Sequence, residues 1–256
     1  MHEKPTLSVV VPALNEEKNL QEAVKAVYQA MGKKFDAYEI LIFNDASTDD
    51  TGRIAEGLAT QDENIKVIHN PKTMGFGYNI RAGIELARHE YVIMVPGDNE
   101  IPTDSIEQLF RHTGTADVVV SYFTNQEIRP LKRQIVSRLY TTILNLLFGL
   151  NLRYYNGPCV YRRTVVLKIP PMTGGFAYLA STLIRILKMG HSFVEVGILL
   201  GERRHGSSKA ITLYNSLVVA KTILLLFLEI YFRKPEKFNN QPKRVERQLT
   251  QLFNYL

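Results

Sequence analysis

The 256-residue sequence predicts an α/β fold, a mixed and mostly parallel sheet with helices on both faces. Three observations predict it. Short β-branched runs alternate with segments whose apolar residues recur at helical spacing, and the links between them are short. Polar clusters follow the runs directly, at the carboxyl ends of strands where ligands bind in such sheets. Acids and bases are also segregated along the chain: residues 1–127 carry 11 Lys/Arg and 20 Asp/Glu, residues 128–256 carry 20 and 5.

Residues 7–11 (LSVVV) read as a buried strand ending at Pro12. Asn15 reads as a helix N-cap, with Glu16 and Glu17 in the first turn and Leu20, Val24, Val27 and Met31 on one face. Residues 38–43 (YEILIF) are a second strand. Asp49 or Asp50 starts the next helix, with Ile54 and Leu58 on its apolar face. Residues 65–68 form a third strand. Residues 75–88 form a helix with Ile80, Ile84 and Ala87 inward. Residues 91–95 form a fourth strand, closed by Pro96-Gly97.

The second half changes character. Residues 131–148 suggest a basic amphipathic helix, 154–163 a loop then a strand, 177–189 a helix and 193–199 a strand. Residues 211–232 are strongly apolar, but Lys221 and Glu229 interrupt them, so no uncharged run reaches the roughly 18–20 residues of a bilayer span. An in-plane or packed helix is expected there. Val245, Leu249, Leu252, Phe253 and Leu256 suggest a last short amphipathic helix.

The single cysteine, Cys159, excludes an internal disulfide and a cysteine-held zinc. The first residues lack the apolar core of a signal peptide, so a cytoplasmic setting is expected. No acidic residue stands between Glu127 and Glu195, whereas 10 basic ones do. That balance predicts an anionic partner: a phosphate or an anionic membrane surface. No RNA- or DNA-binding signature accompanies the charge, so nucleic acid is not expected.

Four stretches carry chemistry. VVVPALNEEKNL and YEILIFNDASTDDT put polar and acidic side chains after neighbouring strands, able to accept hydrogen bonds from a base N–H and ribose hydroxyls or to cap helices. Residues 72–87 hold Gly75 and Gly77, which allow a tight turn and close backbone approach before a helix. VPGDNEIPTDSI offers Asp98 and Glu100, hard ligands suited to Mg2+ or Mn2+. GERRHGSSK, residues 201–209, sets cations around a glycine turn as an anion clamp would.

Together these stretches resemble family-2 glycosyltransferases, and most closely the polyprenyl-phosphate sugar synthases of the dolichol-phosphate mannose synthase kind. The resemblance covers residues 7–110 well and 129–209 more loosely. It implies the GT-A fold over residues 1–210, with 1–127 as nucleotide-sugar half and 128–210 as acceptor half. Residues 211–256 would be amphipathic, membrane-associated helices. It implies that Pro12, Leu14, Glu16 and Asp45 line the nucleoside pocket and that Asp98 and Glu100 hold the metal on the diphosphate. Arg203, Gly206, Ser208 and Lys209 match an Arg-x-x-Gly-x-Ser-Lys signature, which implies that Arg203 and Lys209 contact the diphosphate and the acceptor phosphate. Arg133, in RPLKRQIVSR, is a third candidate. The chain departs from the pattern at Asn44, Ala46 and Pro96, where Asp, Gly and Asp are common, and near 180, where a Glu is common and Ala180 and Ser181 stand.

The expected activity is an inverting transfer from a GDP- or UDP-linked sugar to a polyprenyl or dolichyl phosphate, at the cytoplasmic face of a membrane. A sugar hydroxyl needs a carboxylate base, whereas a phosphate monoester, with a second pKa of about 6, is already anionic. The acid-free stretch favours the phosphate. The rival readings are a same-fold transferase acting on a saccharide hydroxyl, and a binding module that has lost catalysis.

Overall fold

The computed structural model describes residues 4–171, 175, 177–201 and 213–245. The first half runs β1 (Thr6–Ala13), α1 (Leu20–Met31), β2 (Ala37–Asn44), α2 (Thr51–Gln61), β3 (Ile65–His69), α3 (Phe76–Leu86), β4 (Tyr91–Met94) and α4 (Thr103–Arg111). The second runs β5 (Val118–Phe123), α5 (Leu131–Phe148), β6 (Cys159–Arg162), α6 (Arg163–Val166), α7 (Tyr178–Lys188), β7 (Ser192–Ile198), α8 (Leu213–Leu228), α9 (Pro235–Phe238) and β8 (Lys243–Arg244). A single π-helical turn, Glu229–Arg233, continues α8.

The strands form one sheet in the order β3-β2-β1-β4-β6-β5-β7-β8. Only β6 runs against its neighbours; the other pairings are parallel. The mixed, mostly parallel α/β architecture is therefore as expected. Side chains alternate across the sheet. Leu7, Val9, Val11, Ile40 and Ile42 pack on one face with α1, α2 and α4; Val10, Leu41 and Phe43 pack on the other with α3, α5, α7 and α8. Burial on both faces explains the unbroken apolar strands. Each such Val or Leu contributes about 1.5–3 kcal/mol on leaving water. On the second face α3 approaches closely, because a Cβ at Gly83 would collide with the Val10 side chain.

β1 runs through Pro12 instead of stopping there. The Pro12 carbonyl accepts Gly97 N–H, so residue 12 faces the β4 side of the sheet, where β4 has already ended. The missing proline donor thus costs no ladder bond. The Asn15 cap is not formed either. Helix α1 begins at Leu20, with Asn19 in the cap position, and Asn15 sits at φ 57°.

At the C-terminal end, Asn215–Arg233 is long and apolar enough to cross a bilayer by length and composition. It is nevertheless fastened to the domain. Arg185 of α7 pairs with Glu229 at 3.0 Å, Leu226 and Ile230 are buried, and Phe148 packs against Phe227 and Tyr231. Val245 belongs to no helix: its N–H donates to the Phe193 carbonyl, next to the β7–β8 pairing. Residues 249–256 lie outside the described residues, as do 202–212.

Candidate functional site

The carboxyl ends of β2, β1 and β4 lie side by side, so the loops after them share one rim. Among the described residues, three non-glycine positions have left-handed backbone, Asn15, Ala46 and Asn99, and all fall in these loops. Such conformations carry strain and gather where a site over-determines the backbone. Ala46, at φ 59°, also explains why glycine suits that position.

The first two loops are stitched to each other. Asn15 N–H donates to Ser47 Oγ and its Oδ1 accepts from Thr48 N–H. Glu16 N–H donates to Thr51 Oγ1, and Glu16 Oε2 accepts from Asn19 Nδ2 at 2.7 Å. Glu17 and the 49–50 pair exchange bonds: Glu17 N–H to Asp49 Oδ2, Asp50 N–H to Glu17 Oε2. Burial raises the Asp49 carboxyl, but bonds from the Thr51 hydroxyl and from the Thr51 and Glu17 N–H groups outweigh it and hold it below the usual carboxylate range. Asn15 thus ties two loops together instead of capping α1.

Asp45 is 3% exposed, and both of its oxygens are engaged. Oδ1 accepts from Asn70 Nδ2 at 2.7 Å and Met74 N–H at 2.8 Å, and Oδ2 accepts from Gly75 N–H at 3.0 Å. Gly75, at φ 95°, makes the turn expected of this stretch. These bonds tie the 70–75 loop to the Asp45 carboxylate. Asn44 is bonded to His69 and accepts from Ser47 N–H. Pro12 is buried and Leu14 half-buried at the end of β1.

Asp98 and Glu100 are both half-buried on the β4 loop, with Glu100 N–H donating to Asp98 Oδ1 at 3.2 Å. Gly97 lets this loop press against β1: a Cβ there would lie 3.2 Å from Ala13 Cβ and 3.3 Å from the Pro12 carbonyl. No group of three or more His, Cys, Asp or Glu able to hold a metal occurs among the described residues. The Asp98–Glu100 pair does suit a cation whose other ligands are diphosphate oxygens and water, as Mg2+ prefers.

The exit of β7 reaches the same rim. Gly201 N–H donates to the Glu100 carbonyl at 2.7 Å. Ser105 Oγ bonds Leu199, Asn125 bonds Leu200 through both its amide atoms, and Thr124 N–H donates to the Ile198 carbonyl. Gly201, the first residue of the basic 201–209 stretch, thus lies directly beside the acidic pair. Arg203 and Lys209 themselves lie outside the described residues. Arg133 is half-buried in the first turn of α5 and makes no ion pair among the described residues.

One residue escaped the sequence reading. Arg129, just before α5, is 9% exposed, lies 4.8 Å over the Phe123 ring and donates to Tyr154 Oη at 3.3 Å. It stands in a basic run, RPLKR, and nothing in the pattern separates the buried cation from its solvated neighbours. A cavity of about 360 Å3 opens at the opposite edge, by Tyr28, Tyr38 and Asp62. Asp62 is engaged there by both tyrosine hydroxyls and by Asn64.

Residues 8–169 match the family model described as Glycosyl transferase family 2. Polyprenol monophosphomannose synthase of Mycolicibacterium smegmatis is 29% identical over 214 residues, covering 78% of this chain and 79% of the relative. An undecaprenyl-phosphate 4-deoxy-4-formamido-L-arabinose transferase of Pseudomonas fluorescens is 29% identical over 213 residues, 79% of this chain and 59% of the relative. Glycosyltransferase GlyG of Streptococcus pneumoniae is 31% identical over 123 residues, 47% of this chain and 40% of the relative. The chain thus spans about half the length of the latter two. Among solved structures, glucosyl-3-phosphoglycerate synthase from Mycobacterium tuberculosis, in complex with Mn2+, UDP and phosphoglyceric acid, superposes with a TM-score of 0.68 at 21% identity, covering 87% of this chain and 78% of that one. This likeness establishes the GT-A-type fold.

Proposed function

The chain belongs to glycosyltransferase family 2, and from that premise we propose that it moves a sugar from a nucleotide-sugar to a polyprenyl phosphate at an anionic membrane surface. The observation that carries this reading is the Gly201–Glu100 backbone bond, which starts the basic segment at the acidic pair. Relatives named for polyprenol and undecaprenyl-phosphate chemistry support the acceptor, and UDP in the similar solved structure supports the donor.

Glu16 and Leu14 border the nucleoside, on loops that Asn15 and Asp45 hold in shape. Asp98 and Glu100 hold Mg2+ or Mn2+, which would offset charge on the departing diphosphate. Arg133, Arg203 and Lys209 steer the acceptor phosphate. Its oxygen attacks the anomeric carbon from the face opposite the diphosphate, the new C–O bond forming as the old one breaks. No general base is needed for an oxygen that is already anionic. The acceptor side fits that economy. Glu195, its first acid after Glu127, is occupied by Arg244 at 2.8 Å and by Arg153 N–H.

The membrane part of the reading rests on α5 and α8. Leu131, Ile135, Leu139 and Leu146 of α5 and Leu217 and Leu224 of α8 are exposed, interleaved with the exposed cations Lys132, Arg138 and Lys221. An apolar face with basic flanks suits a helix lying in an anionic interface, at about 1 kcal/mol per cation near the surface. The Arg185–Glu229 pair favours a helix laid along the domain over one that crosses the bilayer.

The test is a screen of UDP- and GDP-sugars with Mg2+ or Mn2+ and mixed polyprenyl phosphates, reading released nucleoside diphosphate. Transfer to polyprenyl phosphate that disappears in Asp98→Ala and on metal chelation is the expected result. Transfer to saccharide hydroxyls alone would sink the acceptor assignment. Unchanged turnover in Asp98→Ala would sink the site.

A further inference from the structure

We propose that Arg129 binds the phosphate of the acceptor. The inference rests on the polyprenyl-phosphate reading and deepens it. The described residues include two buried arginines, and they are treated oppositely. Arg185 has a carboxylate, Glu229, at 3.0 Å. Arg129 has none among the described residues: its one side-chain hydrogen bond goes to the neutral Tyr154 hydroxyl, and its buried Nε has no partner.

A guanidinium taken out of water without a counter-charge is unfavourable, and the Phe123 and Tyr154 rings compensate only in part. A position of that kind is completed by an anion. Guanidinium geometry suits a phosphate, whose oxygens can accept two parallel N–H bonds. The rings also restrain the side chain, so little rotamer freedom remains to be lost on binding.

Placement says which phosphate. The loop carrying Arg129 leaves β5 and is fastened through Thr124 and Asn125 to residues 198–200, one step before the basic segment. Strand β6 separates β5 from β4, so this exit is two strands, roughly 10 Å, from the strand that carries Asp98. Arg129 therefore stands on the acceptor flank of the rim, beside the entry to 201–209.

The experiment compares wild type, Arg129→Met and Arg129→Lys with farnesyl phosphate in detergent, by direct binding and by steady-state transfer. Arg129→Met should weaken farnesyl phosphate binding and raise the acceptor KM about 10- to 100-fold, the range expected of a lost charged hydrogen bond. Donor KM should stay within about twofold, and Arg129→Lys should recover part of the loss. Melting temperature is the deciding control. A cation held for a ligand is a burden to the free protein, so Arg129→Met should melt no lower than wild type. A lower melting temperature with unchanged acceptor binding would make Arg129 structural and overturn the proposal. A raised donor KM with unchanged acceptor KM would move the residue to the diphosphate and overturn the acceptor assignment. If wild type binds farnesyl phosphate through Arg129 but transfers sugar only to hydroxyls, the broader reading falls while this site stands. If wild type binds none, both fall.

Discussion

The donor flank and the acceptor flank of the rim treat charge in opposite ways. On the donor flank, carboxylates are absorbed into the protein: Asp45 by the 70–75 loop, Asp49 by Thr51 and Glu17, Glu16 by Asn19. On the acceptor flank, Arg129 and Arg133 lack carboxylate partners among the described residues, while α7 and α8 are held by one buried pair. On the proposed reading, the loops after β1 and β2 are finished by folding, whereas the Asp98–Glu100 pair and Arg129 are finished by ligands. Three substitutions break or sharpen this contrast.

Glu229→Ala has the largest expected effect. It leaves Arg185 buried without its counter-charge, at a cost of about 3–5 kcal/mol. Chemical denaturation should report that loss, and limited proteolysis should find residues 213–245 cleaved before the donor half. Equal protection of both would mean that the pair does not hold α8. Asp45→Asn comes next. The amide must present its one NH2 group to either the Met74 or the Gly75 N–H donor, where a carboxylate oxygen accepted, costing about 1–3 kcal/mol. Binding of nucleoside diphosphate, followed by calorimetry, should weaken while farnesyl phosphate binding holds. Equal weakening of the two would erase the separation of flanks. Ala46→Gly is the smallest. Relief of the left-handed conformation, less the freedom glycine gains in the unfolded chain, should stabilise by up to about 1 kcal/mol. A thermal midpoint that falls would show that the loop does not hold this conformation in solution.

Much of this architecture could be read from the sequence, because β-branched runs and helical periodicity are local signals. β1 to β4 and the helices between them fall where the pattern put them, as do Asp98 and Glu100 beyond a strand end. The errors share a cause. Asn15 suits both a helix cap and a left-handed turn, and its bonds to Ser47 and Thr48, about thirty residues away, decided between them. Val245 has the spacing of an amphipathic helix, but an open edge at β7 draws its N–H into a strand-like bond. The burial of Asp45 by the 70–75 loop leaves no local trace in the sequence either, because its partners lie about thirty residues away. Arg129 is the converse, an ordinary basic residue by sequence whose isolation only packing reveals.

The hydrogen bond from Gly201 N–H to the Glu100 carbonyl has a thermodynamic consequence. It yokes the strand exit that leads into the cationic segment to the turn that displays Asp98 and Glu100. Any occupant that displaces one end does work on the other. Linkage then requires reciprocity: whatever factor donor occupancy adds to lipid-phosphate affinity, lipid phosphate must add to donor affinity. The order in which the two arrive would then alter the route but not the combined affinity of the ternary complex.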